Sequence, residues 1–243
     1  MEFFKFSLLS CLVIFLLPSC TLVNPLVLPN NSEKQVVVTK EIKLHSFTGI
    51  KNYTSANIEI TEGEVFSIVA TGPEKIVDQI EKEKVVNDNI LTFRYKQVYL
   101  NTRVNISITM PSVQYLENVG TGKMVGQNTF KSPNLTIKLL GTGPIDVAVD
   151  AEVVDVDLIG TGNVILKGNT SKLFGTIKGT GNILAFDLKS TRAGLWNFGT
   201  GNTKAWVTSN LECEIPGTGS IYYVGSPTIQ SKINGPGELI NAN

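Results

Sequence analysis

Residues 154–181 read VDVDLIGTGNVILKGNTSKLFGTIKGTG, and this stretch decides the architecture. Val154, Val156 and Leu158 alternate with Asp155 and Asp157 up to a corner, Gly160-Thr161-Gly162, and a second corner follows at Gly179-Thr180-Gly181. Strict alternation of apolar and polar residues is a strand with one buried face. Working outward, five more corners appear: Gly120-Thr121-Gly122, Gly141-Thr142-Gly143, Gly199-Thr200-Gly201, Gly217-Thr218-Gly219 and Gly235-Pro236-Gly237. Their first glycines lie 21, 19, 19, 20, 18 and 18 residues apart. A fixed period of this size marks a repeat architecture, in which each short unit buries its apolar face only by stacking on its neighbours.

The residues two, four and six places before a corner are the ones expected inside. They read Leu139, Ile137 and Leu135, then Leu158, Val156 and Val154, then Ile215, Cys213 and Leu211. The intervening Lys138, Thr136, Asp157, Asp155, Glu214 and Glu212 face solvent on the same pattern. Gly175, Ser231 and Asn197 are lapses from it. A strand, a glycine corner, a second strand and a looser return make one coil, and the repeated coil predicts an all-β fold: a single-stranded parallel β-helix, with strands about 4.8 Å apart. Glycine suits the corner in two ways, by adopting positive φ and by letting stacked backbones approach without a Cβ. The intervening Thr121, Thr142, Thr161, Thr180, Thr200 and Thr218 form a stacked structural column ending in Pro236. These corners are not phosphate loops, since no third glycine, no Lys-Ser/Thr and no helix follows them. The calcium-binding β-roll, with its nonapeptide period, is excluded as well.

The amino terminus carries the second signal. Residues 1–20, MEFFKFSLLSCLVIFLLPSC, place Lys5 ahead of an apolar run that ends at Leu17. The run has the proportions of a signal-peptide core and is too short to span a bilayer. It closes on Leu17-Pro18-Ser19-Cys20, which is similar to a bacterial lipobox and makes Cys20 the expected lipidation site. Two or three acyl chains there would anchor the mature protein stably in a membrane. Residues 21–35 read as a tether, and no acidic residue follows Cys20 as a retention or surface-export signal. The expected location is the cell envelope, with the outer membrane as the default and either its periplasmic face or the surface as the side displayed. Cys11 leaves with the signal and Cys213 falls on the buried parity of its strand, so no internal disulfide is expected.

Residues 36–243 are expected to form one β-helix domain, with irregular capping coils over 36–119 and glycine-cornered repeats over 120–243. In the first part Val36–Lys43, Ala56–Thr61, Val65–Ala70, Ile90–Tyr95 and Val104–Met110 have strand composition. One helix opens at Pro73-Glu74-Lys75, buries Ile76, Val77 and Ile80, and ends before the Asn87-Asp88 turn.

The order of these features resembles the bacterial auto-transporter adhesin head domain, the head GIN family. The resemblance rests on Lys40-Glu41-Ile42-Lys43, Ser46-Phe47-Thr48-Gly49-Ile50 and the strand-turn Asn57–Gly63. It extends through a helix over Ile76–Val86, the Ile106–Pro111 strand and the coils, and covers about residues 36–241. It implies a lipoprotein or secreted β-helix with adhesin-like function and no established catalytic residues. The family often has an acidic residue after its corner; here Lys123, Pro144, Asn163, Asn182, Asn202 and Ser220 stand there.

Lysine plus arginine balance aspartate plus glutamate at 21 each, so no global field draws nucleic acid. The single histidine, His45, has no second histidine to share a zinc ion, and it is expected on a solvent-facing strand or turn. Asp146, Asp150, Asp155 and Asp157 are the one acidic concentration, expected as a solvated face. No cofactor or metal is expected. A polysaccharide-cleaving β-helix enzyme is an alternative, but coils this short leave little room for a catalytic cleft. The other alternative is a purely structural or assembly component of the envelope. The main expectation is a noncatalytic binding protein for a glycan, a protein partner or a second copy of itself. Its candidate surface is where the alternation fails after the corners. Ile165, Leu184, Phe186, Trp206, Tyr222 and Val224 sit at positions that should be polar, with Lys167 and Lys204 among them. They are expected to form an apolar and aromatic strip across four coils.

Overall fold

The alternating segments are strands in the computed structural model, which describes residues 36–44, 46–94 and 104–243. The signal segment 1–20 with Cys20, the tether 21–35, His45 and Arg103 lie outside the described residues. In chain order come β1 (Val37–Glu41), β2 (Gly49–Asn52), β3 (Asn57–Glu62), β4 (Ser67–Pro73), α1 (Glu74–Glu83), β5 (Val85–Asn87) and β6 (Ile90–Phe93). β7 (Asn105–Met110), β8 (Tyr115–Asn118) and β9 (Met124–Leu139) follow. These early strands do not stack in sequence order. β2 lies parallel between β6 and β8, and β3 lies parallel between β7 and β9. Strands β6 and β7 therefore tuck under β2 and β3, and β8 with β9 climbs over their other side. β4 runs antiparallel along β7, and β1 antiparallel along β4, which closes that end with strands of opposite direction.

The helix packs on β1 and β4 and buries Ile76, Val77 and Ile80, the three residues expected to do so. It stops at Glu83, earlier than the periodicity predicted. Val85-Val86-Asn87 instead form β5, paired antiparallel with β6. Asp88 and Asn89, at φ 51° and 60°, make the two-residue turn between them. Aspartate and asparagine tolerate this left-handed geometry, and its twist suits a tight hairpin.

Beyond β9 the stack is regular. β10 (Ile145–Leu158), β11 (Val164–Ile177), β12 (Ile183–Asn197) and β13 (Thr203–Ile215) each lie parallel on the strand before. β14 (Ile221–Val224), β15 (Thr228–Ile233) and β16 (Leu239–Asn241) complete it. Inward residues form columns: Ile137, Val156, Gly175, Leu195 and Cys213 stand one above another, and all are buried. The lapse at Gly175 has a packing reason. A Cβ there would come within 3.1 Å of the Leu195 side chain, which occupies the space Gly175 leaves. Burial, and then the charge of Glu212, push the Cys213 thiol up to about 11, so it remains a neutral small hydrophobe. In β15 the columns reach the end of the stack, and Ile229, Ser231 and Ile233 are exposed there.

None of the corner glycines has a positive φ; the two glycines that do are Gly168 and Gly225. Close approach is the operative requirement at the corners. A Cβ on Gly160 would fall 2.1 Å from the Gly141 carbonyl oxygen, on Gly181 1.8 Å from that of Gly162, and on Gly201 1.7 Å from that of Gly181. The N–H groups of Thr161, Thr180, Thr200 and Thr218 donate to the first glycine carbonyl of the preceding corner at 3.0–3.2 Å. The threonine side chains themselves point out and are exposed. A further corner that carries no glycine, Thr54-Ser55-Ala56, lies beneath Gly120-Thr121-Gly122. There the Thr54 hydroxyl accepts the Ala56 N–H at 3.0 Å and closes the turn from within.

Asn197, a lapse in the alternation, is a second closing device. Its Oδ1 accepts the Gly199 N–H at 3.2 Å and its Nδ2 donates to the Gly201 carbonyl at 2.8 Å. Asn118 donates in the same way to Gly122 at 2.7 Å and also reaches Gly143 at 3.0 Å. Asn52 does so to Ala56 at 3.2 Å. All three are fully buried. A buried carboxamide is tolerated because its donors and acceptor find corner backbone partners.

Candidate functional site

The strip begins in register. Asp146, Ile165, Leu184, Lys204 and Tyr222 stand one above another on the outer face that follows the corners. The second column is interrupted. A bulge opposite Leu166 lets β12 carry an extra outward residue, so Phe186 and Asp187 both leave the core before Leu188 returns to it. Against β13 the register shifts further, since Phe186, Asp187 and Leu188 have no partner there; Trp206 lies opposite Lys189, with Val224 above it, and has no cross-strand pairing with Phe186. Lysines bind the two halves together: Lys204 Nζ sits 5.8 Å over the Phe186 ring and Lys189 Nζ 5.4 Å over the Trp206 ring. Trp206 is 36% exposed, while Ile165, Leu184, Phe186, Tyr222 and Val224 are half-buried. Lys167, lower on this face, pairs with Asp146 at 3.0 Å.

The opposite outer face, before the corners, carries a charge ladder. Lys51, Glu117, Lys138 and Asp157 alternate in sign along one column, and Glu214 and Lys232 resume it above. Lys51–Glu117 closes at 2.9 Å and Lys232–Glu214 at 2.7 Å. Between them the ladder changes character at Thr176 and Trp196. Trp196 and Phe174 stack with centroids 6.3 Å apart, and both rings reach over Gly194, where a Cβ would meet Trp196 at 2.7 Å and Phe174 at 3.0 Å. Beside the corners an apolar ridge adds Leu140, Ile159 and Phe198, the last two about half exposed at 48% and 51%. Sequence reading missed this second surface, although its signal was present: large apolar residues stand one, three and five places before a corner, on the outward parity.

The acidic concentration is dispersed. Asp146 serves its lysine, while Asp155 and Asp157 lie two residues apart on the outward face of β10. Burial, and then the Asp157 charge, raise the Asp155 carboxyl above its ordinary range, against the opposing pull of Lys138. Among the described residues no three of His, Cys, Asp or Glu gather in a geometry that could hold a metal ion. The position after the corner, often acidic in the family, is a hydrogen-bonded column here. Asn163 Oδ1 accepts the Asn182 N–H at 3.0 Å, Asn182 that of Asn202 at 2.9 Å, and Asn202 that of Ser220 at 2.8 Å. These side chains are spent on holding coil to coil.

The family model described as "Putative auto-transporter adhesin, head GIN domain" matches residues 46–227. The chain belongs to this family. A crystal structure of a "putative adhesin" from Bacteroides fragilis superposes on this head GIN domain with a TM-score of 0.79 at 28% identity, covering 85% of this chain and 97% of that one. A "putative lipid binding protein" from Parabacteroides distasonis shares the fold at TM-score 0.67 and 21% identity, over 84% of this chain and 97% of its own. A "putative adhesin" from Parabacteroides merdae does so at 0.60 and 20%, over 84% and 96%. No curated protein matches the sequence. The head GIN match spans the first glycine-free corner and all but the last coil of the solenoid, so the resemblance read from the order of motifs holds for the folded unit.

Proposed function

We propose that this head GIN domain is a noncatalytic, lipid-anchored envelope protein that binds a glycan or protein partner through Ile165, Leu184, Phe186, Trp206, Tyr222 and Val224. The observation that carries the reading is the set of half-exposed apolar and aromatic side chains on an outward face, where the strand pattern calls for polar residues. Exposed apolar surface of this extent is usually kept for a partner, and aromatic rings serve both sugar faces and protein side chains. Relatives described as adhesins fit a surface role. The double variant Phe186→Ser with Trp206→Ser should keep its melting temperature within a few degrees and lose association with the partner. A loss of stability by several kcal/mol, as for emptied core sites, would show that these rings are structural and end the reading.

The anchor is Cys20, acylated after cleavage of residues 1–19, with the outer membrane as the resting place. Cys20→Ala should shift the protein out of the membrane fraction or leave it unprocessed. Unchanged fractionation together with unchanged uptake of labelled palmitate would refute the anchor.

A second reading, a structural spacer of the envelope, is favoured by the asparagine column and the charge ladder, both of which serve coil-to-coil cohesion. It predicts a rigid rod with no partner lost in the double variant.

A further inference from the structure

The coils turn a second time without glycine-x-glycine corners, part-way along each of the long strands β10 to β13. A groove of about 340 Å³ opens on that turn, lined chiefly by Asp150, Asn169, Ser171, Lys189, Thr191 and Thr208. Each of these side chains can donate or accept a hydrogen bond. Among the described residues, Asp150, Asn169, Ser171 and Thr191 have no side-chain hydrogen-bond partner. Thr208 is held by a bond to the Ser190 carbonyl at 3.2 Å. The floor is pre-formed: the Thr170 hydroxyl reaches the Glu152 and Lys172 carbonyls at 3.2 and 3.1 Å, and in register with it on the next coil the buried Ser190 hydroxyl donates to the Trp206 carbonyl at 2.6 Å. The column Asp150, Asn169, Lys189 continues to Trp206 on β13, and the lining residue Lys189 holds its ammonium over the exposed indole.

The chemistry of the lining selects the ligand. One carboxylate and one ammonium cancel, so an anion would meet Asp150 and a cation would meet Lys189. An apolar peptide face would leave the unpartnered amide and hydroxyls without hydrogen bonds, a cost of about 1–3 kcal/mol for each such group. A polyhydroxylated neutral ring satisfies both requirements, since each hydroxyl donates and accepts and its C–H face suits an aromatic side chain. We propose that this groove binds a neutral saccharide, with hydroxyls on Asp150, Asn169 and Thr191 and a ring edge against Trp206. The volume is near the lower end for small-ligand sites, about 300 Å³, which fits one or two sugar units of a longer chain. The proposal rests on the strip reading only through Trp206.

Titration calorimetry on the full chain tests it, with cellotriose, maltotriose and triacetylchitotriose as neutral probes and trigalacturonate and calcium as charged ones. At least one neutral trisaccharide should bind saturably. Asn169→Ala and Thr191→Ala, both at exposed positions, should each weaken it by about tenfold, the equivalent of one or two hydrogen bonds, with the melting temperature unchanged. Ile165→Ser and Tyr222→Ser, on the strip away from the groove, should leave this binding intact. Their loss of envelope association would then concern the strip alone. The proposal fails if none of the neutral probes binds at millimolar concentration, or if only the charged probes bind. It fails equally if binding ignores Asn169 and Thr191 while responding to the strip variants.

Discussion

Gly201→Ala is expected to disrupt the solenoid in its C-terminal half, with a cost of about 3 kcal/mol or more, at or above the usual range for overpacking. The new methyl would lie 1.7 Å from the Gly181 carbonyl oxygen and 2.7 Å from its carbon, and both are backbone atoms. No rotamer change relieves such a contact. The two coils would have to separate, and the Thr200 N–H would lose its bond to the Gly179 carbonyl at 3.1 Å. Because a solenoid is held by nearest-neighbour interfaces, a weakened step lowers the stability of the coils on either side. Thr200→Ala, at the exposed residue between the same glycines, should cost under about 0.5 kcal/mol. Chemical denaturation of the two variants separates them. Equal midpoints would mean that the corners tolerate a Cβ and that the close stacking has another cause.

Val156→Asp should cost about 4 kcal/mol or more, since it places an unpaired carboxylate among apolar neighbours. Val156 is fully buried and lies between Ile137 on β9 and Gly175 on β11. No described cation reaches the inside of the coil at this level, and the missing side chain at Gly175 provides no hydrogen bond. For a chain of this size the loss corresponds to a fall in melting temperature of roughly 10 °C. Asp157→Ala, one residue on and pointing out, should stay within about 0.5 kcal/mol of the parent. Urea melts with the order reversed would overturn the register of β10.

Much of this was legible in the sequence because a solenoid writes its geometry locally. Each coil repeats the same problem, a strand with one face inside and a corner pressed against the corner before it, so period-two alternation and recurring glycines are enough to state the solution. Val154, Val156 and Leu158 are buried, and Thr161 and Thr180 are exposed, as their spacing from the glycines requires. The reason for the glycines was only half legible. Positive φ and close approach select the same residue, and distances between coils are needed to tell them apart. Asn197 likewise reads as a flaw in a hydrophobic column until its carboxamide is seen to bridge the Gly199 N–H and the Gly201 carbonyl.

By itself, then, the sequence determined the fold class, the repeat, the inward residues of the regular coils, and the outward placement of the apolar side chains after the corners. Tertiary structure alone decided three other things. One is the order of the first coils, because the return of β6 and β7 beneath β2 and β3 is a long-range pairing with no local signature. Another is the division of the strip, because Phe186, Asp187 and Leu188 pass without partners on β13 and shift Trp206 from Phe186 to Lys189. The last is the groove at the second turn. Its side chains come from four successive coils, roughly 20 residues apart in the chain, and only stacking at the β-sheet spacing of about 4.8 Å brings them within reach of one ligand.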